Sequence, residues 1–356
     1  MFNRQWFKPG SQIGLSPLAL QVEECINNHN LESAKYLIDR LFIELKDEGY
    51  CHRLLLRIGH LSIKRQRYIE SIRISFVNFW PDHDPADSQF TDLLIASTSK
   101  SILYVTDPSD ADIVFFSCYG NTSPAKIAPH ALKILFLGEN VRPYYRDYDL
   151  SLTSDVDTYL GRNIYLPLWM LETDWFGRCY PDRQTFSIRH LITPKVVDLS
   201  KRKPAIIYVG NNSEPCRMSL ITYLQSMGIT VDVYGSHTKP LANKIQEYMT
   251  YKMSLCPENS LFPGYITEKP LHSWISATPY IYRSGSHDSP FLANNLCVNI
   301  PDHWEANTIF MSSIRSIIEG NYIITATPLF SAEQVKQTFS LLLHRFRTRL
   351  RQFLYS

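Results

Sequence analysis

Short apolar runs of strand length recur along this chain and alternate with segments long enough for a helix. Ile72–Trp80 (IRISFVNFW), Ile102–Val105, Ile113–Ser117 and Lys133–Leu137 form a first set, separated by segments such as Phe90–Ser99. A second set runs from Ala205–Val209, through a helical stretch near Arg217–Met227, to Val231–Gly235, Tyr251–Leu255, Pro279–Arg283 and Cys297–Ile300. Strands that alternate with helices pair in parallel, because a parallel neighbour is reached only by a crossover. The expected fold class is therefore α/β: two Rossmann-like, doubly wound domains facing a cleft. The Pro-, Arg- and Lys-rich stretch around Pro194–Pro204 reads as the linker.

The ends of the chain read differently. Residues 1–70 are expected to be a helical extension, with Leu18, Val22, Cys25 and Ile26 on one helix face. Leu31, Ala34, Leu37, Ile38, Leu41, Phe42 and Leu45 form a second face, which Gly49 ends. A third run, Leu54–Ile63, turns basic at Lys64, Arg65 and Arg67. The expected units are thus 1–70, a first Rossmann-like domain over 71–195, a second over 196–325, and an amphipathic basic helix over 326–356. That last helix carries Val335, Phe339, Leu342, Leu343, Phe346, Leu350 and Phe353 on its stripe and Arg345, Arg347, Arg349 and Arg351 near its end. Packing across the body and peripheral association with anionic lipid are both open to it.

Tyr251–Pro270 (YKMSLCPENSLFPGYITEKP) carries the most chemistry. It reads as a strand, a polar loop, and a helix start. Pro257 ends the ladder because it cannot donate, Thr267 can cap the helix, and Pro270 is tolerated in a first turn. Backbone donors there, with Lys269, suit phosphate oxygens.

The residues Glu258-Asn259-Ser260 and Gly264-Tyr265-Ile266-Thr267-Glu268-Lys269 resemble the motif of the family-10 α1,3/4-fucosyltransferases of bacterial type. That motif is E-N-S, three residues, a small or acidic residue, then Y-[IV]-T-E-K. The resemblance covers roughly residues 72–320. It implies the GT-B architecture and inverting transfer of L-fucose from GDP-fucose to a GlcNAc-containing glycan, such as N-acetyllactosamine on a lipopolysaccharide or oligosaccharide. A transferase for another GDP-sugar and a non-catalytic glycan- or nucleotide-binding protein are the rivals.

Site residues follow from the same resemblance. Glu139, in Leu137-Gly138-Glu139-Asn140 past a strand, stands where the family has its general base, with Asp147, Asp149, Asp82 and Asp84 as rivals. Arg217 stands where the family has an Arg at the helix start after its first donor-domain strand. Its planar fork suits the diphosphate, and Lys269 would add a point charge there. Glu268, an acceptor when ionised, suits ribose hydroxyls, and Tyr265 the fucose, diphosphate or base. Asn259 either binds the sugar or holds the loop, and Glu258 reads as an anchor of that loop. Tyr234-Gly235 falls near the family's guanine pocket. The chain departs from the family at Pro257, at Ala277-Thr278-Pro279, and at Gly264, where animal members carry Asp.

Composition limits the alternatives. With 44% hydrophobic and 20% charged residues the chain is folded rather than disordered. A net charge of +2 does not point to nucleic acid. The seven cysteines are odd in number and lack CxxC spacing, which argues against a disulfide framework or a zinc site. A reducing cytoplasm is the expected compartment, peripheral to the inner membrane if the last helix binds lipid, since Met1–Gly14 holds no long apolar run. No cofactor is expected beyond the donor substrate. A divalent ion would be stimulatory at most, since the D-x-D string Asp155-Val156-Asp157 falls in a loop. Oligomeric state is left open.

Overall fold

The computed structural model describes residues 17–28, 30–45, 50–55, 58, 71–127, 131–142, 145–159, 161–178, 185–210, 215–235, 239–287 and 289–354. Gly49, the basic run Lys64, Arg65 and Arg67, and the loop 211–214 lie outside them, as do the side chains of Leu31, Leu45 and Phe353.

Two all-parallel sheets form the body. The first contains β1 (Ser71–Val77), β2 (Ser101–Tyr104), β3 (Ile113–Phe116), β4 (Leu132–Phe136), β5 (Leu150–Thr153) and β6 (Asn163–Tyr165), in the order β2-β1-β3-β4-β5-β6. β3, β4 and β5 are buried at every residue. Layers cover both faces of such strands, so β3 reads as an unbroken apolar run, while β4 and β5 bury Lys133, Ser151 and Thr153 among their apolar residues. β2, at the sheet edge, is mostly exposed. Two short strands, β7 (Thr173–Asp174) and β8 (Phe186–Ser187), follow the sheet and pair in parallel. The second sheet contains β10 (Lys203–Val209), β11 (Val231–Tyr234), β12 (Tyr251–Leu255), β13 (Tyr280–Tyr282) and β14 (Cys297–Asn299), in the order β11-β10-β12-β13-β14. β1 to β4 and the five strands of the second sheet each end within a few residues of their sequence-based spans, whereas β5 to β8 had no such span.

The expected linker is more ordered than its composition suggests. β9 (Lys195–Asp198) pairs antiparallel with β15 (Ile323–Ala326), so the two chain crossings between the halves lie side by side. Val197 and Ala326 are fully buried in this ribbon.

Of the helices, α1 (Pro17–Asn27) and α2 (Leu31–Leu45) form the prefix together with helical residues 50–55. Val22, Ile26, Ala34, Ile38, Leu41 and Leu54 make its separate small core. It docks through Lys35, whose Nζ lies 3.3 Å from Asp149 Oδ1. Burial would lower the Lys35 ammonium, but Asp149 and Glu32 outweigh it and hold its pKa above the usual lysine value.

α3 (Gln89–Thr98) follows β1, α4 (Arg189–Ile192) precedes the crossing, and α5 (Pro215–Ser226), α6 (Lys244–Tyr248), α7 (Lys269–Ile275) and α8 (Thr308–Glu319) serve the second sheet. The last helix, α9 (Ala332–Leu354), returns to the first half and lies against α3 and β6. Its Val335, Leu342, Phe346 and Leu350 are buried, Phe339 stacks on Trp175 at 5.2 Å, and Arg347 donates to the Ala96 carbonyl at 2.8 Å. The apolar stripe is therefore covered by the body. Among the described residues no helix is long and apolar enough to cross a membrane.

Candidate functional site

In an open parallel sheet, ligands bind beyond the carboxyl ends of the strands where the strand order reverses. The second sheet reverses between β10 and β12, and the chain segments leaving those two strands carry most of the candidate residues. Arg217, on α5 after β10, is 5% exposed. Its Nη1 donates to the Tyr208 hydroxyl at 3.4 Å, while Nε and Nη2 are buried without a hydrogen-bond partner. A buried guanidinium left partly unsatisfied is costly, which makes it a candidate for completion by a ligand.

The segment after β12 is rigid around Glu258. That carboxylate is 6% exposed and accepts from Thr267 N at 2.9 Å, Thr267 Oγ1 at 2.7 Å and the Tyr282 hydroxyl at 2.9 Å. Burial pushes its pKa up, against Lys269 and those donors. Glu258 is thus the loop anchor. Thr267 both donates to it and accepts from Lys269 N at 3.4 Å, the first residue of α7. The Lys269 ammonium is aimed by Asn259 Oδ1 at 2.8 Å and Thr267 Oγ1 at 3.3 Å. Asn259 therefore holds the lysine. Burial alone would raise Glu268, but Lys269, Lys244 and His272 keep its pKa below the ordinary value of 4.5. Tyr234 is turned inward: its hydroxyl pairs with Tyr251 at 3.1 Å and Glu247 at 3.4 Å, so its side chain is taken up by the fold.

Gly264 explains a departure from the family pattern. Its φ is +86°, and a Cβ there would strike the Ser154 carbonyl of the first half. Its own carbonyl accepts from the Tyr165 hydroxyl at 3.1 Å. No side chain fits at this close approach.

Glu139 reaches the same place from the other side. It leaves β4 on an exposed turn and accepts a hydrogen bond from the Tyr119 hydroxyl at 3.2 Å. Tyr265, 2% exposed, is where the two halves meet. Burial raises its phenol pKa, and the carboxylates of Glu139, Glu258 and Glu268 add to the rise while Arg217 opposes it. Charged groups from both halves thus act on one hydroxyl. Further contacts bridge the halves: Asn140 donates to Ser260, Arg142 covers the Phe262 ring at 3.3 Å, Trp274 donates to the His190 carbonyl at 2.8 Å, and His272 bonds Glu172.

Several residues here were not foreseen. Lys244 opens α6 behind the Asn243 cap; burial lowers its ammonium pKa, while Glu268 and Glu172 draw it up. Tyr119, Asn140, Arg142 and His272 also belong to the cleft. The polar pair Glu139-Asn140 at a strand exit was the signal for Asn140. For Lys244 only the Asn243-Lys244 helix start was available.

The rival carboxylates differ in availability. Asp149 pairs with Lys35 and accepts from Lys133 N at 2.9 Å, so it is a structural group. Asp155 is buried and accepts from Tyr145 at 3.3 Å and Tyr159 at 3.0 Å, with Arg142 Nε 3.4 Å away. The D-x-D string is therefore a fold-holding knot. Among the described residues no cluster of His, Cys, Asp and Glu is arranged to hold a metal.

Residues 74–172 match the family model described as the Alpha-(1,3)-fucosyltransferase FucT N-terminal domain. The Helicobacter pylori α-(1,3)-fucosyltransferase FucT is 24% identical over 241 residues, 59% of this chain and 50% of that protein. A 4-galactosyl-N-acetylglucosaminide 3-α-L-fucosyltransferase of Hylobates lar is 33% identical over 115 residues, 30% of each. The chain is thus similar to α1,3-fucosyltransferases. It spans about half the length of the bacterial relative and less of the primate one. A crystal structure of an α1,3-fucosyltransferase superposes with a TM-score of 0.53 at 20% identity, over 79% of this chain and 92% of that one. Another, solved with GDP, gives 0.50 at 19% identity, over 80% and 95%. The fold is GT-B, as the motif resemblance implied, with the α/β sheets that the alternation of strands and helices led one to expect.

Proposed function

We propose that this protein is an inverting α1,3-fucosyltransferase that takes L-fucose from GDP-fucose. The observation that carries the reading is the Arg217 guanidinium, buried with Nε and Nη2 unpartnered at the switch point of the second sheet. A diphosphate would complete it, and Lys269, held by Asn259 and Thr267, would meet the same oxygens. A relative solved with GDP-fucose and one solved with GDP support the choice of donor. Glu268 and Tyr265 are left for the donor's sugar hydroxyls.

In this reading the acceptor hydroxyl loses its proton to Glu139 as its oxygen attacks the anomeric carbon of the donor. The bond to the β-phosphate oxygen breaks, and GDP leaves with the electron pair, its charge met by Arg217 and Lys269. In-line attack turns the β-linked donor into an α-fucoside. With two cations supplied by side chains, no metal is needed for the leaving group. The acceptor is a GlcNAc-containing glycan of the N-acetyllactosamine kind, lipid-linked or free. We assign any contact of α9 with anionic lipid to its exposed Arg345 and Arg351, since its stripe is already covered. The test is incubation with GDP-fucose, GDP-mannose and N-acetyllactosamine, with product linkage read by NMR. An α1,3-fucoside is expected. Turnover with GDP-mannose alone, or GDP binding without transfer to any acceptor, would overturn the proposal.

A further inference from the structure

Where α9 crosses the body it leaves a cavity of about 230 Å³. Thr338, Leu341, Leu342 and Arg345 line it from the helix side. β6 and the turn Leu168–Glu172 close it from the first half, through Tyr165, Trp169 and Met170, and Ile266 closes it from the second. Glu139, Arg217, Asn259, Glu268 and Lys269 have no part in its lining. It therefore lies outside the proposed donor site and does not depend on the fucosyltransferase reading.

Packing holds the walls. Trp169 and Met170 are buried, and Trp169 stacks on Phe330 at 5.4 Å while meeting Phe291 edge-on at 6.0 Å. Protein interiors leave few voids larger than a water molecule, and the lining of a void loses contacts on its open side. A space of this size between packed rings is a candidate ligand site. Leu341 stands 49% exposed at its rim, an apolar side chain that an occupant would cover. Inside, the Tyr165 hydroxyl is already bonded to the Gly264 carbonyl, which leaves little for a polar ligand to bond.

Size, shape and charge narrow the occupant. An apolar cavity of about 150 Å³ takes the six carbons of benzene, so in proportion this one holds about nine. Thr338, Leu341, Leu342 and Arg345 stand at i, i+3, i+4 and i+7, one face of α9 that rises about 10 Å. The space thus runs along the helix and suits a chain better than a compact ring. Arg345 is exposed at one end, and among the described residues no carboxylate lines the cavity. We propose that this cavity binds a single-chain aliphatic carboxylate of about nine carbons, its chain along α9 and its head at Arg345. Two acyl chains exceed the volume, so the site takes a free fatty acid and not a diacyl lipid.

The experiment is calorimetry of the full chain with nonanoate, hexanoate, nonanol and dioctanoyl phosphatidylglycerol, the last below its micellar concentration. Nonanoate should bind at one molecule per chain. Each methylene removed should weaken binding about fourfold, so hexanoate should bind about sixtyfold more weakly. Arg345→Gln should weaken nonanoate about two- to fivefold, the range of an exposed ion pair, and leave nonanol unchanged. Thr338→Trp, which plugs the channel, should abolish binding of both. If that variant does not fold, Leu341→Trp at the exposed rim gives the same comparison. Absence of saturable nonanoate binding in the wild type, or binding that survives the plug, would overturn the site. Hexanoate binding as tightly as nonanoate would overturn the chain assignment, and an Arg345→Gln variant with unchanged nonanoate affinity the head assignment. The phospholipid binding as tightly as nonanoate would overturn the choice of a free fatty acid.

Discussion

Replacing Arg217 with Met removes the guanidinium and keeps the apolar stem, and the structure gives the two effects opposite signs. In the unliganded protein Nε and Nη2 are buried without partners, a cost of about 1–3 kcal/mol. Met relieves that cost, so the variant's melting temperature should hold or rise. With a diphosphate bound, the same nitrogens would make charge-assisted hydrogen bonds worth about 1.5–3 kcal/mol each. Losing even one weakens GDP binding by roughly 10- to 150-fold, since about 1.4 kcal/mol is a factor of ten. Guanosine, without phosphates, should bind both proteins alike. Calorimetry with GDP and guanosine, alongside thermal scans, separates the cases. A guanidinium that served the fold through Tyr208 would lower stability on removal and leave GDP affinity intact. That pair of results would refute the diphosphate assignment.

Four other outcomes are expected. Glu139→Gln should cut fucose transfer by about 10²–10⁴-fold while calorimetry shows unchanged GDP affinity. Excess EDTA should leave substantial transfer in a steady-state assay, because Arg217 and Lys269 carry the positive charge that an ion would bring; activity restored only by added manganese would contradict this. Gly264→Ala should lower the melting temperature, since φ of +86° alone costs an L-residue about 1–2 kcal/mol and the new Cβ meets Ser154. Glu268 has a folded pKa held below its ordinary 4.5, so its contribution is present above that value and lost as pH falls through the folded pKa. Glu268→Gln should flatten the acid limb of stability, read as urea midpoints between pH ~6 and ~3.

The sequence carried the sheets further than it carried the connections. β3 and β4 are buried along their whole length and stand out as apolar runs, broken in β4 only by Lys133, while β12 alternates Tyr251, Met253 and Leu255 with Lys252 and Ser254. β9 and β15 are four residues each, half-exposed, and stable only because each pairs with the other across more than a hundred residues. No local pattern encodes that pairing, and the basic, proline-flanked composition argued for a linker. The fate of α9 was likewise a tertiary matter. Its stripe was plain, but what covers it is α3 and β6 in the other half of the chain.

At the candidate site the difference lies in which valences the fold consumes. Glu139, Arg217 and Lys269 stand at strand exits and helix starts, positions that a strand pattern and a motif can locate. Whether such a residue serves the fold or a ligand depends on its partners. Glu258 and Asp155 look as suited to chemistry as Glu139, yet three donors occupy the first and two phenols the second. Arg217 is buried to the same degree and left with two donors unmet. Burial with satisfaction marks a structural group, and burial without it is what makes Arg217 a candidate for a ligand. Tyr119 escaped the sequence reading for the complementary reason. Its exposed ring was one aromatic among many until the fold set its hydroxyl against Glu139. That bond joins two strand exits 20 residues apart, and no local pattern couples them.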